Sequence, residues 1–228
     1  MLKKYGRSFH LPWSPGTTSD DKRHTLKEVE HMFRGKQVVI TEKLDGENSS
    51  IYADGSYHAR SVDSVAHPSR TRMSALAANI RTVGIPKGWK IVGENVYAKH
   101  SIYYNQLPDY FLVFGIIDEN NISLSWDKVV EWCELLDLKT VPVIASFVWT
   151  QNFVDSAFWT SLYPTKSLYS THNDAEGYVV RLAGEYSMDA LGSSLSKFVR
   201  QGHVQAYYHW MNSELVFNSL ASVKTSVC

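Results

Sequence analysis

The stretch "VITEKLDGENSSIYADGSY", residues 38–57, carries Lys43 at the end of an apolar run and just ahead of Asp45-Gly46. Glu42, Asp45 and Glu47 box the lysine in. One reading is a surface lysine with acidic neighbours; the sharper one is a nucleophile that attacks a nucleotide. An amine attacks phosphorus only when neutral, and an unperturbed lysine of pKa ~10.4 is almost wholly charged at neutral pH. Nearby cations would lower that pKa by like-charge repulsion, while the acids push it the other way. A metal ion held among the carboxylates would relieve that tension.

Other routes to nucleotide or metal chemistry are missing from the sequence. It contains no G-x-x-x-x-G-K-[ST], so the usual phosphate-cradling loop is not used. The nine histidines show neither H-x-x-x-H nor H-E-x-x-H spacing, and Cys133 and Cys228 are too few for a cysteine zinc site. The K-x-D-G at 43–46 is unspecific by itself. Its companions are not: "HARS" with Arg60, "IVGENVY" with Glu94, "YFLVFGI" with Phe114, "EGYVVR" with Glu176 and "SKFVR" with Lys197 follow it in one order.

This ordered set resembles the covalent nucleotidyltransferase superfamily of ATP-dependent polynucleotide ligases and mRNA capping enzymes. Within it, "KLDGEN" is most similar to the nick-sealing, phage-type RNA ligases, whose first motif has an asparagine five residues after the lysine; Asn48 stands there. The resemblance runs from about residue 37 to 200. It implies an ATP-dependent RNA ligase in which Lys43 takes AMP from ATP, passes it to an RNA 5′-phosphate, and lets a 3′-hydroxyl expel it. Lys43 and Lys197 would then be catalytic, Lys197 holding the α-phosphate. Glu42, Asn48, Arg60, Glu94, Phe114 and Glu176 would join the two lysines in binding the nucleotide, with Phe114 stacked on adenine and Glu94 at the ribose. Asp45, Glu94 and Glu176 would hold Mg²⁺, with Mn²⁺ as its substitute. The implied partners are RNA ends and an RNA end-repair kinase/phosphatase. The last motif departs from the family, whose members often carry a second lysine there; Arg200 is nearby but points away from Lys197 on an ideal strand.

Three other readings compete. A minimal ATP-dependent DNA ligase would share the nucleotide chemistry. A catalytically silent nucleotide- or RNA-binding relative is disfavoured because every charged motif position is filled. A GTP-using capping enzyme would need a further domain, and the 28 residues after Arg200 are too few for an OB fold.

These side chains must be positioned by strands. "QVVITEK" and "NSSIYA" read as strands, and Asp54-Gly55 turns the chain into "SYHARSV". "SRTRMSALAANIRTV" is helical and closes at Gly84 and Pro86. "WKIVGENVYA" and "YFLVFGIID" are strands, and Asn120-Asn121 marks the turn that follows. "SWDKVVEWCELLDL" has a Ser125 N-cap candidate and helical spacing. "VPVIASF", "EGYVVRL" and "SLSKFVR" read as strands, "QNFVDSAFWTSLY" and the tail from His203 as helical. The mixed order predicts an α+β fold; the resemblance implies that it is one nucleotidyltransferase domain, ATP-grasp-like, of antiparallel sheets flanked by helices without an OB domain. The expected parts are an N-terminal arm packed on the domain (1–36), the nucleotidyltransferase domain (37–200) and a helical C-terminal tail (201–228).

The composition suits this. With 228 residues, 44% hydrophobic and 13% aromatic, the chain can bury a core. No run is long enough to span a membrane, no signal-peptide core is present, and the two cysteines suit a reducing compartment, so a cytoplasmic protein is expected. Net charge is zero, but residues 58–90 carry six Lys/Arg against Asp63, a candidate RNA-facing block with Arg70 and Arg81 on one side of the helix. Residues 105–139 carry seven acids against Lys128 and Lys139.

Overall fold

The computed structural model describes residues 2–64, 66–150, 166–203 and 214–222. Its strands are β1 (Phe9–His10), β2 (Gln37–Lys43), β3 (Glu47–Tyr52), β4 (Tyr57–His58), β5 (Lys90–Asn95), β6 (Phe111–Ile117), β7 (Ile122–Ser123), β8 (Lys139–Thr140), β9 (Val143–Val148), β10 (Gly177–Leu182), β11 (Tyr186–Ser187) and β12 (Leu195–Val199). The helices are α1 (Leu26–Phe33), α2 (Thr71–Val83) and α3 (Trp126–Leu135). One sheet has the order β1-β12-β10-β2-β9; the other runs β11-β7-β6-β5-β3-β4, with β8 added beside β6. Pairing is antiparallel apart from two short parallel contacts, β1 with β12 and β6 with β8. The α+β expectation with antiparallel sheets is met.

Period two in the strands separates core from cleft. On β2, Val38 and Ile40 join Tyr178 and Val180 of β10 beneath Val29, Met32 and Phe33 of α1. The intervening Thr41 and Lys43, with Val179 and Arg181 of β10 and Lys197 of β12, line a cleft. In the second sheet, Ile51, Ile91 and Ile116 form a core with Met73, Ala77 and Ile80 of α2 and Val129 and Cys133 of α3. Asn48 and Glu94, directly paired across β3 and β5, line the cleft from that side. The order is therefore helix, sheet, cleft, sheet, helices.

Several local features differ from the sequence reading. The segment before residue 37 is more than an arm. Thr25 and Glu28 close a reciprocal capping box on α1, satisfying backbone donors that the helix start would otherwise leave unpaired. Ser125 makes no side-chain cap bond to α3. The "SYHARSV" strand is cut to Tyr57–His58. Residues 214–222 are extended rather than helical, with bridges of Phe217 to Ala98 and Leu220 to Leu107. The helix expected at 151–163 and the tail from 204 to 213 lie outside the described residues.

Candidate active site

Lys43 is the last residue of β2, and the turn after it crosses from the first sheet to the second. Its ladder partner on β10 is Gly177, which puts Glu176 beside the lysine. A Cβ at 177 would collide with the Phe198 carbonyl of β12, so only glycine permits this close packing of strands. Lys43 Nζ stands 2.7 Å from both carboxylate oxygens of Glu176. Burial works to lower the lysine pKa, but the charges of Glu176, Glu94 and Asp45 outweigh it and hold the amine above the ordinary value.

Asp45 is fixed by its surroundings. Its Oδ2 accepts from Ser101 N (2.8 Å), Ser101 Oγ (2.5 Å) and Ile102 N (2.9 Å), while its own N–H donates to Tyr104 Oη (2.8 Å). Burial would raise the Asp45 pKa; the neighbouring His203 and Ser101 outweigh that and hold it well below the carboxylate range. Glu176 is raised by burial and by Asp45, against the pull of Lys43. Glu94 is pushed up to about 8, by burial first and then by Glu176 and Asp45, with Lys43 opposing. Three carboxyl groups around one lysine offer more oxygen donors than its ammonium occupies, and donors of this kind fit a hard divalent cation. Asp45, Glu176 and Glu94 are thus suited to hold one.

The remaining predicted residues gather in the same cleft, of about 450 Å³. Asn48, Arg60, Phe114 and Lys197 all line it. Lys197 lies 3.8 Å from Asp21, and burial followed by the charge of Lys43 lowers its pKa. Glu42 also borders the cleft; it is buried, its Oε2 accepts from Leu168 N (2.9 Å), and burial raises its pKa. Its Oε1 has no hydrogen-bond partner among the described residues. Phe114 is placed by an irregularity. Gly115 pairs with Val92 and Val113 with Gly93, leaving Phe114 without a ladder partner. Leu112 consequently faces the Glu94 side while Ile116 faces Ile91, an inversion that strict alternation forbids. A period-two count cannot single out Phe114 for this reason.

One expectation about charge fails and another is met. Arg70 is buried and paired with Glu47 (Nε to Oε2, 2.7 Å), so it does not share an exposed face with Arg81. Arg200 donates to the Ala175 carbonyl (3.0 Å) and is not among the cleft-lining residues. Sequence reasoning also missed four contributors. Arg181 is buried, donates to the Phe114 and Leu124 carbonyls across the two sheets (2.8 and 3.0 Å), and stacks against Trp126 and Tyr186. Its parity with Val179 on β10 was the available signal. Tyr5 and Asp21 of the arm reach the cleft, Tyr5 edge-on to Phe114 at 5.3 Å. His203 stands 3.5 Å from Glu176 and 3.7 Å from Asp45. The arm therefore packs on the first sheet through β1 and also forms part of the cleft wall.

Residues 36–199 match the RNA ligase family, and the chain belongs to it. Among solved structures it is similar to a Naegleria gruberi RNA ligase with PPi, at 15% identity and TM-score 0.57, covering 89% of this chain and 61% of that one. Two mutants of that ligase with ATP and Mn give TM-scores of 0.56 and 0.55 at 16% and 14% identity, covering 79% and 78% of this chain and 54% and 53% of theirs. The likeness is one of fold. This chain spans between about half and three fifths of those structures. No curated protein was found to match the sequence. Among the described residues, no helix is long and apolar enough to cross a membrane.

Proposed function

We propose that the protein is an ATP-dependent RNA ligase whose nucleophile is Lys43. The observation that carries this reading is the Lys43–Glu176 contact in a cleft that also gathers Asp45, Glu94, Arg60, Phe114 and Lys197. The N. gruberi ligase structures with ATP and Mn support it by fold. Lys43 Nζ attacks the α-phosphorus of ATP, the P–O bond to the β-phosphate breaks, and pyrophosphate leaves. The lysine loses its proton and carries AMP as a phosphoramidate. An RNA 5′-phosphate oxygen then displaces Lys43 from that phosphorus, and an RNA 3′-hydroxyl finally attacks the 5′-phosphate and releases AMP.

The side chains divide the work. Lys197, and Arg60 with it, face the phosphates and offset the charge that gathers on the transferring group. Phe114, held at its backbone by Arg181, offers an aromatic face to adenine. Glu42 Oε1, buried and unpartnered among the described residues, suits the exocyclic amine of adenine, and guanine would present a carbonyl there. Asp45, Glu176 and Glu94 would hold the divalent ion, which when bound neutralises charge at the α-phosphate. Occupation of the carboxylates also removes the anions that keep Lys43 protonated. Arg72 and Arg81 of α2 and Lys3, Lys4 and Arg7 of the arm, all exposed, are cations left to meet RNA.

Incubation with α-labelled ATP and Mg²⁺ or Mn²⁺ should label the protein, with release by pyrophosphate. GTP should label it far less. Lys43→Ala should abolish the label and Glu176→Gln should reduce it by orders of magnitude. Equal labelling of Lys43→Ala would overturn the assignment.

A further inference from the structure

His203 belongs to no motif that relates this chain to ligases, yet it stands beside two acids of the site, Asp45 and Glu176. The chain leaves β12, turns at Gly202 in the left-handed region (φ 75°), and brings the imidazole beside Glu176 and Asp45. The side chain is 1% exposed. Both ring nitrogens are buried and have no hydrogen-bond partner among the described residues. Nε2 lies 3.5 Å from Glu176 Oε1 and 3.7 Å from Asp45 Oδ1, too far for hydrogen bonds.

Those spacings have another use. Donor atoms each about 2.1 Å from a metal ion stand roughly 3.0 Å apart in an octahedral site and roughly 3.4 Å apart in a tetrahedral one. One ligand atom from each of Asp45, Glu176 and His203 lies within 4.8 Å of the others, close enough for a small inward movement to bring them onto a single ion. Asp45 is preset for that role. All three of its hydrogen bonds fall on Oδ2, which turns Oδ1 toward His203. A buried imidazole whose nitrogens make no hydrogen bond is costly unless something satisfies it.

We infer that His203 is a direct ligand of a divalent transition-metal ion, completing a three-donor site with Asp45 and Glu176. The site then favours such ions over Mg²⁺, because imidazole nitrogen suits them while Mg²⁺ selects oxygen donors and keeps its waters. This deepens the ligase reading, resting on its assignment of Asp45 and Glu176 to the metal, and adds a nitrogen ligand to it.

The test uses the full chain with Mn²⁺ alone. Pulsed electron paramagnetic resonance of the Mn²⁺-loaded protein should show ¹⁴N coupling from a directly bound imidazole. His203→Gln should lose that coupling, and His100→Gln, altered at a histidine that lines the cleft, should keep it. Titration should show Mn²⁺ affinity falling about tenfold or more in His203→Gln, with Mg²⁺ affinity much less affected. Bound Mn²⁺ without ¹⁴N coupling in the unaltered protein overturns the inference whether or not the variant folds, as does coupling that persists in His203→Gln. Labelling by ATP is scored separately. Labelling without ¹⁴N coupling defeats only the ligand assignment, and coupling without labelling defeats only the ligase reading.

Discussion

Glu94 shows how one side chain's surroundings can set a property of the whole fold. Burial, then Glu176 and Asp45, lift its pKa from 4.5 to about 8 against the pull of Lys43. The folded chain therefore binds a proton that the unfolded chain has released over that interval, so stability falls as pH rises. The contribution is fully present below about pH 4.5 and lost as pH passes through 8. In metal-free protein the urea midpoint should decline across this window, and Glu94→Gln should flatten much of the decline. An unaltered slope in that variant would remove Glu94 as its source. The residue types at this scale were legible in the sequence: a lysine among acids, a glutamate in "GEN", another ahead of Gly177. Their mutual distances were not, because Lys43 and Glu176 are 133 residues apart and meet only through the β2–β10 ladder. His203 had no spacing signal at all. It reaches the site by a single turn at Gly202.

At the scale of elements, the entry to α2 is tied to the start of β3 by the buried Arg70–Glu47 pair. Removing one member of such a pair leaves the other uncompensated in a low-dielectric setting. Arg70→Ala should cost about 3–5 kcal/mol of stability, whereas Arg70→Leu combined with Glu47→Leu should recover much of it. Denaturant unfolding checks both; a loss under about 1 kcal/mol for the single change would show the pair to be incidental. Apolar spacing in "SRTRMSALAANIRTV" marked α2 correctly. Helical periodicity gave no reason to bury Arg70, because it belongs to the 3-10 turn Pro68–Arg70 ahead of the helix proper. Helix α1 was readable from Thr25-x-x-Glu28 and the buried spacing Val29, Met32, Phe33, but the Pro-rich segment before it masks that signature. The irregularity at Phe114 left no mark, since an extra strand residue is defined only by its partner strand.

Across the whole molecule, zero net charge combines a basic stretch at 58–90 with an acidic one at 105–139. Arg72, stacked over Tyr97 and Tyr110, and the exposed Arg81 remain on α2 once Arg70 is withdrawn. Ala replacement of both should leave ATP labelling nearly intact and weaken RNA sealing. It should also flatten the log–log salt dependence of RNA binding by about 0.7 to 0.9 per lost phosphate contact. An unchanged slope and unchanged sealing would move the RNA track to Lys3, Lys4 and Arg7. The amino-acid sequence by itself determined the strand alternation, the α+β class and the ordered motifs that mark an RNA ligase. Those are local patterns, written in residue type and short spacing. Tertiary structure alone decided which residues surround Lys43, that the arm walls the cleft, that Arg70 is buried, and that His203 joins the acids. Each depends on which sheet strands pair and where the chain turns between sheets, and such long-range pairing leaves no imprint on the spacing of neighbours.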